Sequence, residues 1–338
     1  MPTLALDRVF AAADGLRRWM LVPVARAAPR LVVSRDARVG IGGALLVVTA
    51  LLSAIVAPGW MLALGPLVWG VPHVLADVRY LVVRPGMHRR PLILASLALG
   101  IALSFVIGVR GAIGGAALAV LLSRATVGRK VSLVAALGGL FGLAGAFGYV
   151  ADVAFAHLHN VIALAFFCAW RRRSSRLYLL PVAAFVAGAL FIVAGGGDGL
   201  VTLTRLGSFD LELAEDALAP GLDPTAALRL VLLFTFAQSV HYVVWLALVP
   251  AEARARNTPP SIRQGARALV SELGPIVLVV AFGAALFFAG LALHDVARAR
   301  NFYLAAASFH GWLEVGAAML FIAEGTRDAG ASPMRADA

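Results

Sequence analysis

Ten apolar stretches, separated by short polar or basic segments, organise this chain: residues 39–57, 60–83, 91–109, 111–123, 131–150, 153–170, 177–197, 225–249, 275–293 and 302–323. Most match the roughly 20 residues that an α-helix needs to cross a bilayer. The pattern predicts an all-α fold, a polytopic integral-membrane helical bundle of about ten transmembrane helices. The fourth stretch is short for a crossing, which leaves a tilted span, a re-entrant segment or a longer helix as alternatives.

Before the first stretch, Leu6, Val9, Phe10, Ala13, Leu16 and Met20 recur at helical spacing, with Arg8, Arg17 and Arg18 among them. That arrangement predicts an amphipathic helix lying on the membrane surface rather than a cleaved signal. Residues 1–38 are thus expected to form a cytoplasmic interfacial segment, 39–323 the transmembrane domain, and 324–338 a disordered cytoplasmic tail. Residues 198–224 form the one long external connection. It is acidic, with Asp198, Asp210, Glu212, Glu215, Asp216 and Asp223 against Arg205, and a short helix is expected near 209–218. A solvated connector and a lid over an outward cavity are both open readings. Gly138, Gly142, Gly145 and Gly148 place small residues along one span, which suits close helix packing.

Composition supports the membrane reading. The chain is 61% hydrophobic over 338 residues, with a mean hydropathy of +0.89, a load that excludes a soluble globular domain. The net charge of +11 does not point to nucleic acid, because the basic residues lie in short clusters between apolar runs, where they anchor loops at an anionic membrane face. Arginines from Arg8 to Arg38, then Arg84, Arg89 and Arg90, then Arg124, Arg129 and Lys130, the run Arg171 to Arg176, and Arg254 to Arg267 fall on alternate connections. By the positive-inside rule this gives an even number of spans with both termini cytoplasmic. The dominance of arginine over the single Lys130, with heavy Ala, Gly and Val usage, suggests a GC-rich bacterial genome, and with the apolar spans the expected location is a bacterial inner membrane. Cys168 is the only cysteine, so disulfides within the chain and cysteine-based metal sites are excluded.

Five of the seven histidines, His73, His157, His159, His241 and His310, lie inside the apolar stretches, on the second, sixth, eighth and tenth. An acid at the centre of a bilayer costs about 2.5–3.5 kcal/mol by insertion scales, and ionisable groups persist there mainly when they face a protein interior. Asp77 follows His73 by four residues, and Glu314 follows His310 by four, which puts each acid over the same helical face as its histidine. A metal-bound imidazole commonly donates its second N–H to a carboxylate; Asp77 and Glu314 are placed for that role or for direct ligation, and Gln238 precedes His241 by three. Because His157 and His159 are two residues apart they point to different faces, so one of them at most is expected as a primary ligand. Four helices each offering imidazole to a common centre is how bundles build metal sites. Arg79 is expected either to snorkel or to pair with Asp77, and His88 and His294 to be solvated.

The stretch Gly70-Val71-Pro72-His73-Val74-Leu75-Ala76-Asp77 resembles the Pro-His-Gly-x-x-Asp signature of the Brp/Blh family of integral-membrane β-carotene dioxygenases. The resemblance implies iron held by histidines, with His73 as a ligand and Asp77 as its neighbour. Val74 stands where that signature has glycine, and Val78 where a second histidine often follows the acid. The expected function is a membrane-embedded, histidine-ligated metal oxygenase or oxidoreductase. Its metal is expected to be non-haem Fe(II), with copper or zinc as alternatives, and its substrate lipophilic, such as a carotenoid, another isoprenoid or an acyl chain. A haem-b protein and a proton-coupled transporter using the same His/Asp/Glu cluster are the alternatives.

Overall fold

A computed structural model of the protein describes residues 2–169, 175–254 and 256–325, with side chains from residue 8 onward. The expected tail beyond 325 and the basic run Arg171 to Arg173 lie outside the described residues. The fold is all-α apart from one two-residue hairpin. Helix α1 (Pro2–Ala27) precedes α2 (Arg35–Val56) and α3 (Pro58–Val83). Next come two shorter apolar helices, α4 (Pro91–Ile107) and α5 (Val109–Leu121), then α6 (Val127–Phe147), α7 (Tyr149–Ala169) and α8 (Arg176–Val193). A connecting segment holds β1 (Arg205–Leu206) antiparallel to β2 (Phe209–Asp210), paired Arg205 to Asp210 and Leu206 to Phe209, and the short α9 (Leu211–Leu218). The chain finishes with α10 (Pro224–Ala253), α11 (Ile262–Leu273), α12 (Pro275–His294) and α13 (Val296–Glu324).

Eight of these helices are long and apolar enough to cross a membrane: α2, α3, α6, α7, α8, α10, α12 and α13. The short pair α4 and α5 occupies the third and fourth predicted stretches. They pack backbone to backbone: a Cβ on Gly100 would come within 2.7 Å of Gly115 Cα, and one on Gly111 within 2.3 Å of Ser104 N. Only glycine allows that approach.

Burial sorts the helices into a centre and a rim. Helix α10 is 72% buried over its apolar window, whereas α12 is 6% and α6 is 11%. The main core gathers around α10, where Trp245, Phe236, Leu232 and Leu248 pack with Phe167 of α7 and Ile55 of α2, all fully buried. Phe236 stacks on Phe185 of α8 at 5.3 Å between ring centres. The outward faces of α12 and α6 carry Val279, Phe282, Phe287, Leu140 and Phe141 in the open, as helices bordered by lipid would. The expectation that Gly138, Gly142, Gly145 and Gly148 mediate packing is not met. Added Cβ atoms on Gly138, Gly142 and Gly148 would meet nothing within 4 Å, and one on Gly145 only the Arg110 side chain at 3.8 Å.

Two polar attachments secure the ends. Helix α11 opens with a capping box between Ser261 and Gln264 and is tied to α1 by Ile262 N–H donating to Asp14 at 2.6 Å. Its Glu272 accepts paired hydrogen bonds from Arg79 and Arg84 at 2.8–2.9 Å. Arg79 is thus committed to Glu272 and not to Asp77. Burial works against the Glu272 charge, but hydrogen bonds from Arg79 and Arg84 hold its carboxyl down at about 2. At the opposite end Thr202 and Leu203 N–H donate to Val56 O, and Arg229 of α10 pairs with Asp198 at 2.6 Å, which fixes the segment carrying α9 to the bundle.

Candidate metal centre

Four helices that are distant in sequence bring their histidines together. His73 comes from α3, His159 from α7, His241 from α10 and His310 from α13. Ring centres lie 4.7 Å apart for His73 and His310, 5.4 Å for His73 and His241, and 5.4 and 5.6 Å from His159 to His241 and His310. His73, Asp77, His241 and His310 each offer a donor atom, and these four atoms lie within 4.8 Å of one another. This cluster could hold a metal ion.

Irregular backbone borders the cluster on three of the helices. Helix α3 contains Pro66 and Pro72 and changes from α to a π-helical turn immediately after Asp77, over Val78–Val83. Helix α10 does the same just past His241, over Val244–Leu248. A π turn inserts an extra residue and re-aims the face beyond it, and such turns concentrate at functional sites. Helix α13 breaks at Ser308, two residues before His310. On α3, Gly70 leaves room for Tyr303, whose ring would overlap any Cβ there at 2.2 Å.

Hydrogen bonds fix three of the rings in one tautomer. His73 Nδ1 donates to Trp69 O at 3.2 Å, His159 Nδ1 to Ala156 O at 2.8 Å, and His310 Nδ1 to Ala307 O. A carbonyl oxygen only accepts, so Nδ1 carries the proton and Nε2 of each neutral ring presents a lone pair. Yet His73 Nε2 and His310 Nε2 stand 3.2 Å apart. Two facing lone pairs at that distance repel unless a cation lies between them. A shared proton would serve these two nitrogens but nothing else. Both Asp77 oxygens and both His241 ring nitrogens are also buried without a hydrogen-bond partner, although buried polar groups are nearly always satisfied. One metal ion held by His73, His310, Asp77 and one nitrogen of His241 answers these needs together, and leaves the second His241 nitrogen for a neighbour. Two imidazoles bound to one ion at about 2.0–2.1 Å in adjacent positions place their nitrogens roughly 3 Å apart, in keeping with the observed spacing.

The other expected site residues fall in three places. Glu314, fully buried, stands outside the compact donor group: its Oε1 accepts from Trp245 Nε1 at 2.8 Å and lies 3.6 Å from His241 Nε2. That places it to orient His241 rather than to join the ligands. His159 adjoins the group with Nε2 free. His157 is not brought to the site; its Nε2 donates to Leu218 O at 2.9 Å, at the end of α9. Two residues along a helix turn the side chain about 200°, which separates it from His159. Gln238 lines the adjoining cavity. His88 lies exposed, as expected.

That cavity has a volume of about 440 Å³ and extends from the histidines past α7, α10 and α13 to Leu218 of α9. Its walls include Phe155, Phe234, Leu304 and Trp312. Tyr242, Tyr303 and Arg300 border it as well, and the buried Tyr303 hydroxyl has no hydrogen-bond partner. These three and Trp245 were not singled out for chemistry in the sequence. A signal was present: Arg300, Tyr303, Ala307 and His310 recur at helical spacing and share one face of α13.

Compared with protein-family models, curated proteins and solved structures, the chain matches none.

Proposed function

We propose that the protein is a multi-pass membrane protein, with both termini cytoplasmic in a bacterial inner membrane, that carries a histidine-ligated non-haem metal and oxidises a lipophilic substrate. The observation that carries this reading is the buried His73, Asp77, His241 and His310 group with its unpartnered donor atoms, opening on an apolar cavity. A mixed imidazole and carboxylate set suits iron, with zinc and copper as competitors. When bound, iron would supply dioxygen activation. The chain's own residues do the rest. Glu314 and Trp245 keep His241 in register, the backbone carbonyls of Trp69 and Ala307 hold two Nε2 atoms inward, and the aromatic walls exclude water from the reacting end. A carotenoid, another isoprenoid or an acyl chain matches such a cavity. The resemblance of residues 70–77 to the Brp/Blh signature adds β-carotene to the first substrates to try. A haem-b site is disfavoured: the pairs that could serve it, His73 with His241 and His159 with His310, have ring centres only 5.4 and 5.6 Å apart, which leaves no room for a macrocycle between them.

The test is oxygen consumption by the purified, iron-loaded protein with β-carotene, free isoprenoids and fatty acyl compounds, with products identified by mass. The reading expects uptake that depends on metal and is lost in His73→Ala. Uptake that is equal with and without His73, or absent with every lipophilic compound, overturns it.

A further inference from the structure

One cation borders the cavity at a distance from the histidines. Arg300 stands ten residues before His310 on α13, about 15 Å along the axis by helical rise. Its Nε donates to Leu62 O at 2.8 Å, and Leu62 stands eleven residues before His73 on α3, about 16 Å by the same rise. Arg300 Nη1 also donates to Asn301 Oδ1 at 3.1 Å, and its guanidinium carbon lies 4.9 Å from the centre of the Phe209 ring.

Arg79, Arg84, Arg90 and Arg229 each pair with a carboxylate, while Arg300 makes no ion pair among the described residues. A guanidinium presents five N–H donors, and these two bonds use only part of that capacity. The one carboxylate lining the cavity, Asp152, accepts from Val109 N–H at 2.7 Å and makes no ion pair with Arg300; a cation in a largely apolar cavity without a paired counter-charge is costly, and an entering anion removes that cost. Arginine recognises carboxylates in a bidentate geometry.

We propose that the cavity takes a single-chain amphiphilic acid, with its carboxylate held by Arg300 and its apolar chain running toward the histidines. One uncompensated positive charge suits a monoanion, and about 440 Å³ suits one chain and not a two-chain phospholipid. With the head group at Arg300, the apolar chain runs along the cavity toward the cluster. The position of attack rests on the metal-centre reading; the binding of the acid does not.

The probes are palmitic acid and its methyl ester, titrated into the purified full-length protein in detergent by tryptophan fluorescence, with metal content measured on the same preparation. Wild type is expected to bind the acid at least about tenfold more tightly than the ester, the size of one charge-assisted pair. Arg300→Gln should remove that preference, and Arg300→Lys should retain part of it. Equal binding of acid and ester by wild type, or an unchanged preference in Arg300→Gln, overturns the proposal. Acid preference in a protein that takes up no metal upholds the head-group site and removes the metal centre; metal uptake without acid preference does the reverse.

Discussion

Replacing Asp77 by asparagine separates a metal ligand from a structural side chain, because the two roles predict opposite outcomes in the metal-free protein. Both Asp77 oxygens are fully buried without a hydrogen-bond partner, and each unsatisfied buried group costs about 1–3 kcal/mol. Asparagine has nearly the same shape and no charge, so in chelator the variant should match wild type to within about 1 kcal/mol. With metal present the balance reverses. An ion at a hundredfold to a thousandfold above its dissociation constant stabilises the fold by about 2.7–4.1 kcal/mol. At roughly 2–4 °C per kcal/mol, chelation should lower the wild-type melting temperature by about 5–15 °C. Loss of one ligand should weaken binding by at least about tenfold and take about 1.4 kcal/mol from that gap. Tryptophan fluorescence melting in detergent, with and without chelator, reads all four numbers. A wild-type midpoint unmoved by chelator, or an Asp77→Asn variant that melts several degrees below wild type in chelator, rules out Asp77 as a metal ligand.

Other substitutions probe the surrounding arrangement. His310→Ala should abolish metal retention while His157→Ala, whose ring contacts only the Leu218 carbonyl among polar partners, should retain it; equal loss in both would show a general folding defect. Glu314→Gln should keep the fold and reduce metal affinity about 10–100-fold, the usual effect of removing a carboxylate that orients a ligating histidine, and Trp245→Phe should do the same more weakly. The Glu272 attachment has a pH signature. Its carboxyl titrates at about 2 in the folded chain against about 4.3 when unfolded, so its contribution is complete above pH about 4.3 and is lost as pH falls toward 2. The melting difference between wild type and Glu272→Gln, of order 1 kcal/mol because both arginines are partly exposed, should therefore shrink below pH 4 and vanish near pH 2. A difference that persists at pH 2 would assign the stability to packing.

The helices were legible because their apolar runs are long and their breaks are proline, glycine or arginine; the ten stretches map one to one onto α2–α8, α10, α12 and α13. The site was legible for a different reason. An ionisable side chain in an apolar run is expensive, so His73, His241 and His310 advertised themselves without any knowledge of packing. Spacing then placed Asp77 beside His73. It could not separate the roles of Asp77 and Glu314, since both follow a histidine by four residues; the separation arises because Trp245 of α10 donates to Glu314 while nothing donates to Asp77, a tertiary contact that spacing along one helix does not report. The choice between His157 and His159 depended on where α9 docks. Tyr303 and Arg300 were obscured because an aromatic or basic residue near a helix start reads as an interface anchor. The glycines of α6 misled, since small residues permit close approach but do not supply a partner.

The most direct measurement is the transition-metal content of purified wild-type protein alongside His73→Ala and Asp77→Asn. About one ion per chain is expected in wild type, with strong depletion in both variants while each remains folded. A folded wild-type protein that takes up no transition metal, or full metal content in His73→Ala, contradicts the proposed metal centre.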